Sequence, residues 1–256
     1  MESAAQICYS DRIRKVFQMG LRLNANQLKL IAAVSMVIDH VGYFLFPDLT
    51  ALRWIGRLAF PLFAFFIAEG CYYTRNIWRY LGQVGGIGLI CMAAVAAFDG
   101  RLYGNTMITF ALSILIVAMI KQGVLIGVLS AGIALWICLT IEVDYGFTGV
   151  LIPAAVWAAR IIAEKRQAAV RPDQADSMQQ TGTAAKRRGF TAEIIVLEIG
   201  MIILSFQLSP YQWISLSALF LLLLYDGSRG KKNLKWFFYF FYPVHILIIQ
   251  AAALLL

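Results

Sequence analysis

The sequence predicts an all-α protein, a polytopic bundle of about nine transmembrane helices. Of its 256 residues, 61% are hydrophobic and the mean hydropathy is +0.73, more apolar surface than one water-soluble domain of this length could bury. The second observation is a series of apolar runs of roughly 20 residues, the length of a helix that crosses a bilayer. Residues 1–256 are therefore expected to form a single transmembrane domain.

The expected spans lie between charged residues, Gly and Pro. They are residues 28–46, 52–73, 77–98, 105–120, 123–141, 146–163, 191–206, 209–225 and 237–256. The fourth and seventh are short for a crossing, so about eight to ten spans fit the pattern. Residues 1–27 are expected to form a basic cytoplasmic segment, and residues 164–190, rich in Gln, Ala, Thr and charge, a disordered cytoplasmic loop.

Basic residues predict the orientation, because Lys and Arg are enriched on the cytoplasmic side. All but three of the 22 fall on alternate loops that include the N-terminal segment, among them Arg160, which is counted with the loop after the sixth span. The exceptions are Arg53, Arg57 and Arg101. We therefore expect a cytoplasmic N-terminus. The basic side chains that give the net charge of +8 are expected to contact anionic lipids and not nucleic acid.

The first span carries ionisable residues where charge is costly. Lys29 and His40 are eleven residues apart, which is about 16.5 Å along a helix and close to whole turns, so both share one face. His40 is the residue suited to moving protons near neutral pH. Asp39 points about 100° away and is expected to pair with another helix. The alternative is that His40 only packs.

The second span adds two arginines and a glutamate. Arg53 and Arg57 are four residues apart and share a face, while Glu69 lies near the inner end. Pro61 removes a backbone donor and is expected to kink this helix. Two interpretations of Arg57 stay open: it neutralises Asp39 and locks the first two spans together, or it binds a substrate or an oxyanion.

The later spans and one short loop hold further ionisable residues. In the ninth span, His245 follows Pro243 and an aromatic cluster near mid-membrane, where packing and function are equally good interpretations. Glu198, in the seventh span, is either functional or paired. Glu142 and Asp144 lie in a short outer loop and are expected to be exposed.

Several common catalytic and ligand-binding motifs are absent from the sequence. There is no phosphate-binding glycine loop, no GxSxG, no HExxH and no CxxC pair. The four cysteines have no metal-ligand or disulfide spacing, so we expect neither a metal nor a disulfide.

Three stretches give the sequence a resemblance to a known family. They are LKLIAAVSMVIDHVGYFLFP, LRWIGRLAFPLFAFFIAEGCYYTRN and YDGSRGKKNLKWFFYFFYPVHILII, with an IDH, an IGRLAFP and an FYPVH element in order. The sequence thus resembles the TraX family, named for a conjugation protein that acetylates the N-terminus of pilin. That family looks related to the membrane acyltransferase-3 group. In the first helix of that group a basic residue and a His are separated by ten residues, a spacing that Lys29 and His40 fit.

The resemblance implies an acyltransferase in the bacterial cytoplasmic (inner) membrane that uses acetyl-CoA as co-substrate and no metal. The implied acceptor is an envelope molecule, either a pilin-like N-terminal amine or a glycan hydroxyl, and the implied partners are lipids and, as an open question, a second copy of the chain. The implied catalytic residues are His40, Asp39 and Arg57. The implied donor contacts are Lys29, Arg75, Arg229, Tyr242 and His245, and the implied substrate contacts are Arg53 and Glu69.

Two other functions remain open from the sequence. The first is a proton-coupled transporter or exporter with Asp39, His40, Arg57 and Glu69 as a relay, although no inverted repeat is visible. The second is a non-catalytic assembly factor for a pilus or envelope machine.

Overall fold

The computed structural model describes residues 22–100, 102–170, 178–232, 234–253 and 255. In these ranges the regular structure is helical, with two isolated β-bridges, so the predicted all-α class is confirmed. A 3₁₀ helix spans Pro210–Ser217. The α-helices are α1 Ala25–Phe44, α2 Thr50–Gly56, α3 Ala59–Tyr73, α4 Ile77–Asp99, α5 Thr106–Ile120, α6 Val124–Thr140, α7 Gly146–Val170, α8 Met178–Gln207, α9 Ala218–Leu223 and α10 Lys235–Ala253.

Membrane-length helices are present, as the sequence predicts. Five segments of the described chain are long and apolar enough to cross a bilayer: Thr50–Tyr73, Ile77–Ala97, Gly146–Arg166, Phe190–Gln207 and Lys235–Ala253. Three shorter apolar segments accompany them: Thr106–Ile120, Val124–Thr140 and Pro210–Leu223. Helix α1 has 20 residues but is not in either set, and three of its residues are the ionisable Lys29, Asp39 and His40. The chain is a helical membrane protein.

Asparagine side chains fix the start of three helices. Asn24 accepts the backbone N–H of Gln27, and the Gln27 side chain accepts that of Asn24, which is a reciprocal capping box for α1. Asn76 and Asn105 cap α4 and α5, because their side-chain oxygens accept backbone N–H groups of the first turn. These caps begin each helix within a few residues of its predicted start.

The kink expected from Pro61 is present. The segment breaks at Arg57 and Leu58, where the backbone N–H groups bond three residues back, to Trp54 at 3.2 Å and Ile55 at 3.3 Å. Proline has no N–H for the carbonyl four residues earlier, which here belongs to Arg57, and its ring crowds that carbonyl. Pro61 therefore bends the chain at Arg57 and turns the Arg57 side chain towards α1.

Two expected segments differ from the structure. Residues 164–170 and 178–190, predicted to be disordered, belong to α7 and α8, while residues 171–177 lie outside the described chain. Residues 209–225 are not one regular span, because a 3₁₀ helix precedes the short α9. Most of the basic segment 1–27 lies outside the described residues.

The expected role of Arg160 as a loop charge is wrong. It lies within α7, is 7% exposed and bonds Glu193 of α8 at 3.2 Å and Glu164 at 3.4 Å. Its guanidinium also donates to the Tyr73 hydroxyl at 2.9 Å and stacks 3.8 Å from the centre of the Tyr72 ring. This Arg160 cluster joins α7, α8 and α3, since a buried charge needs partners of opposite sign.

The first and last described helices lie together at one side of the core. Helix α10 packs against α1 and α4. The segment after α9 runs back along the start of α1, where Leu23 donates to Leu224 at 2.9 Å and Ala25 to Ser228 at 2.8 Å. This arrangement brings together the two ends of the chain that carry both histidines.

Candidate functional site

The two histidines of the chain form one pair. Nδ1 of His40, on α1, lies 3.0 Å from Nε2 of His245, on α10, and the ring centres are 5.0 Å apart. His245 is buried, and its other nitrogen, Nδ1, lies 2.9 Å from the backbone oxygen of Phe241. Sequence reasoning flagged both residues without a reason to join them, and the structure does so.

The backbone oxygen determines which nitrogen carries each proton. A carbonyl only accepts, so Nδ1 of His245 is protonated and donates to Phe241. A neutral His245 then has an unprotonated Nε2, which accepts from Nδ1–H of His40. Nε2 of His40 is left with a lone pair. The chain of two hydrogen bonds therefore holds His40 in the tautomer of a general base, with His245 as the orienting group.

A cavity of about 990 Å³ occupies the end of the bundle where α1, α4 and α10 begin. Its volume is at the upper end of the range for small-molecule sites. It brings together predicted site residues from four parts of the chain, namely Lys29, Glu69, Arg75, Arg229 and Tyr242. Sequence reasoning missed Arg79 and Lys235, which add two further cations to the lining. The lining is thus rich in positive charge.

The histidine pair lies against the floor of this cavity. Phe241 and Tyr242 line the cavity, and both contact His245: the Phe241 ring stacks on it with centres 5.1 Å apart, and the Tyr242 ring meets it edge-on at 5.6 Å. Met36 lines the cavity one turn before His40 on α1. Lys29 and Met36 of α1 line the cavity, whereas His40 and His245 are not among its lining residues, although His245 was expected to contact the donor.

Asp39 pairs with two arginines from the neighbouring element. Its Oδ2 accepts from Arg53 at 2.6 Å, and its Oδ1 lies 3.6 Å from Nη2 of Arg57. A side chain at Gly56 would overlap Asp39, so this glycine permits the approach of α1 and α2. The geometry supports the interhelical interpretation of Asp39. Arg53, Asp39 and Arg57 are not among the residues that line the cavity.

Gln212, in the 3₁₀ helix, is a site residue that the sequence did not reveal. It is fully buried, and its Oε1 lies 3.5 Å from Nη1 of Arg57. An uncharged glutamine in an apolar segment gives no sequence signal that separates it from a packing residue. Only the fold places it beside Arg57.

The expected exposure of Asp144 is wrong. Its carboxylate accepts from the Tyr103 hydroxyl at 2.5 Å and from the Thr106 hydroxyl at 2.7 Å. Burial raises the pKa of this carboxyl, although the two hydrogen bonds act in the opposite direction. Asp144 is thus held by two hydroxyl groups, whereas Glu142 is exposed as expected.

Glu198 lies outside this network. One of its carboxylate oxygens is buried and has no hydrogen-bond partner among the described residues, and no contact of its side chain links it to the histidines. Within the same ranges, the His, Cys, Asp and Glu side chains form no group suited to a metal ion.

Comparison with known proteins identifies a family and two similar proteins. The model of the TraX protein family matches residues 24–252. A protein of Dichelobacter nodosus named "Probable fimbrial assembly protein FimC, serogroup H1" is 25% identical over 93% of this chain and 98% of its own length. An uncharacterised protein of Rickettsia prowazekii (strain Madrid E) is 49% identical over 18% of each chain. No solved structure matches. Because the family model covers the histidine pair, the cavity and the arginines together, the chain belongs to the TraX family.

Proposed function

We propose that the protein is a membrane acetyltransferase that moves an acetyl group from acetyl-CoA to an acceptor in the cell envelope. The observation that carries the proposal is the hydrogen-bond chain from His40 through His245 to the Phe241 oxygen, set against the floor of a cationic cavity. A base with a fixed tautomer is what an acyl transfer needs to take the proton of the acceptor.

The cavity suits the donor. Acetyl-CoA combines an anionic nucleotide with a long neutral arm that ends in the thioester. Lys29, Arg75, Arg79 and Arg229 line the cavity and would contact the phosphates, since cationic side chains bind phosphate oxygens strongly. The arm would run along α1 towards the floor, where the thioester would approach the histidine pair.

The residues divide the reaction between them. Nε2 of His40 takes the proton of the acceptor O–H or N–H as that oxygen or nitrogen attacks the thioester carbonyl carbon. A new C–O or C–N bond forms, the C–S bond breaks, and the proton passes from His40 to the departing CoA thiolate. Arg57 is the candidate donor to the oxyanion that forms between these steps.

We further propose a location and an orientation. In this proposal α1 and the shorter apolar helices also cross the bilayer, which gives about nine spans in a bacterial inner membrane. The cationic cavity mouth faces the cytoplasm, in accord with the enrichment of Lys and Arg there. The donor then enters from the cytoplasm and the acceptor from the opposite side.

The name of the Dichelobacter relative suggests where the acceptor belongs. A role in fimbrial assembly is compatible with acetylation of a pilus component and also with a non-catalytic assembly factor. The second interpretation predicts no acetyl transfer, so one assay separates the two.

A test compares purified wild-type protein with His40→Ala in lipid nanodiscs. Radiolabelled acetyl-CoA and an envelope fraction from a deletion strain are supplied, and acetyl incorporation is counted. We expect His40→Ala to lose roughly 10²- to 10⁴-fold in rate, because the base is gone, while CoA still binds by calorimetry. Val37→Ala, one turn earlier on α1, is the matched control. A wild-type rate in His40→Ala would contradict the role of His40, and a wild-type protein that neither binds CoA nor transfers acetyl would contradict the proposal itself.

A further inference from the structure

Three polar side chains converge beyond the histidine pair and leave hydrogen-bonding atoms unused. Asp39, Arg57 and Gln212 contact one another through Arg57, at 3.6 Å and 3.5 Å. Among the described residues, Oδ1 of Asp39, Nε of Arg57 and Nε2 of Gln212 are buried without a hydrogen-bond partner. We call these three side chains the polar recess. Buried polar atoms without partners are rare, and each asks for an explanation.

Side-chain exposure decreases from the neighbouring Arg53 through the polar recess to Gln212. Side-chain exposure falls from 25% at Arg53 to 18% at Asp39 and 13% at Arg57, and Gln212 is fully buried. The backbone of Gln212 is held on both sides, since its N–H donates to Ser209 at 2.9 Å and its oxygen accepts from Ser215 at 2.6 Å. Because Gln212 is also fully buried, its side-chain amide is an internal group and not a surface one.

The backbone beside the recess is strained. Tyr145 has φ of 63°, a left-handed conformation that costs about 1–3 kcal/mol in a residue other than Gly and is enriched at functional sites. This conformation stacks the Tyr145 ring on Phe60, with ring centres 3.8 Å apart, and Arg57 and Asp39 both act electrostatically on the same side chain. The half-exposed rings of Trp54 and Tyr211 lie 6.2 Å apart.

The unused atoms define what the recess can hold. Arg57 and Gln212 offer N–H donors, and Asp39 offers an acceptor. A phosphate or carboxylate would face the Asp39 carboxylate, and an ammonium would face two guanidiniums. A hydroxyl both donates and accepts and carries no charge. We propose that the polar recess binds the acceptor through neutral hydroxyl groups, as a carbohydrate presents them, with the exposed pair Trp54 and Tyr211 at its entrance.

The position of the recess fits this assignment, which rests on the proposed acetyltransferase function. Asp39 and His40 are consecutive residues of α1, about 3.8 Å apart at Cα. Met36, one turn before His40, lines the cavity, and Asp39 of the recess directly precedes His40 in α1. In this proposal donor and acceptor meet at His40.

Three probes with one alkyl chain test the head-group preference. Octyl β-D-glucoside, octyl phosphate and octylammonium are titrated into protein in nanodiscs, with and without CoA, and binding is followed by saturation-transfer NMR. The wild type is expected to show saturable binding of the glucoside and no saturable binding of the two charged probes. Preferential binding of octylammonium would assign the recess to an amine acceptor and overturn the proposal, as would preferential binding of octyl phosphate.

Variants of Gln212 test whether the glucoside binds at the polar recess. Gln212→Leu removes the buried donor and is expected to weaken glucoside binding at least tenfold, whereas Gln212→Glu places a carboxylate beside Arg57 and is expected to favour octylammonium. The matched control is Gln207→Leu, because Gln207 is an exposed glutamine of α8 that bonds Thr148 at 2.6 Å. Unchanged glucoside binding in Gln212→Leu would overturn the proposal.

CoA affinity, measured by calorimetry on the same samples, separates the two proposals. Absence of CoA binding in the wild type counts against the acetyltransferase and leaves the probe result standing. If CoA binds normally but glucoside binding is absent, or is unchanged in Gln212→Leu, the result counts against the acceptor assignment alone.

Discussion

Two clusters of buried or partly buried charge lie in different parts of this bundle and differ in how completely their polar atoms are paired. In the Arg160 cluster, one arginine has two glutamates, a tyrosine hydroxyl and an aromatic face as partners, and among the described residues none of its members has a buried atom without a hydrogen bond. In the polar recess, three neighbouring side chains each keep an unused atom. The first arrangement joins helices, whereas the second is suited to receiving something.

The difference gives a physical criterion for separating stability from function in a membrane protein without known ligands. A buried charge in either cluster is costly, so its presence alone does not indicate function. Complete pairing indicates a structural role. Incomplete pairing at a strained backbone beside a catalytic candidate indicates binding.

The largest expected effect belongs to the Arg160 cluster. Arg160→Leu leaves the buried Glu193 carboxylate without its counter-ion, which is expected to cost about 3–5 kcal/mol of unfolding free energy. Unfolding of the purified protein by SDS titration in mixed micelles measures this loss. A double change, Arg160→Leu with Glu193→Leu, should recover much of it. A loss below about 1 kcal/mol in the single variant would show that the cluster is not structural.

The second effect concerns His245 as a positioning residue. His245→Leu is expected to lower kcat for acetyl transfer about 100-fold, because His40 loses the acceptor that fixes its tautomer, while KM for acetyl-CoA stays near the wild-type value. His245→Gln keeps an acceptor for Nδ1–H of His40 and should restore part of the rate. Equal losses in the two variants would assign His245 to packing.

The smallest effect is the stability of Gln212→Leu. Replacing a buried amide that has an unused donor with an apolar side chain of similar size is expected to change the unfolding free energy by less than about 1 kcal/mol, with a stabilising sign. The same SDS titration measures it. A loss of about 3 kcal/mol would place Gln212 with the structural cluster and remove the contrast between the two regions.

The sequence predicted more of the helices than of the site. Apolar length between charged residues, Gly and Pro predicted α1, α4, α5 and α10 to within a few residues, and Pro61 predicted a bend, which the structure places at Arg57. It could not predict that His40 meets His245, because periodicity places a residue on a helix face and does not say which distant helix that face meets. The 3₁₀ helix was missed since its residues are as apolar as a short span.

The residues missed within the site share a physical cause. Gln212 has no charge, and Asp144 sits in a loop so short that exposure is the ordinary expectation. Both become informative only when their hydrogen-bond partners are known, and those partners are far away in the chain. A polar or charged residue type in an apolar segment indicates that its burial is unfavourable in free energy. It does not show which partners in the fold compensate for that free energy.

The contact between the two histidines also has a consequence for biosynthesis. His40 and His245 are separated by 205 residues, so a ribosome that has just inserted α1 must continue for about 10–40 s before the second histidine exists. During that interval the nascent chain has His40 without the histidine that accepts its proposed Nδ1–H hydrogen bond, which the proposed mechanism requires. Activity would therefore begin only when α10 docks against α1, and a chain that stalls or is clipped before α10 would remain inert in the membrane.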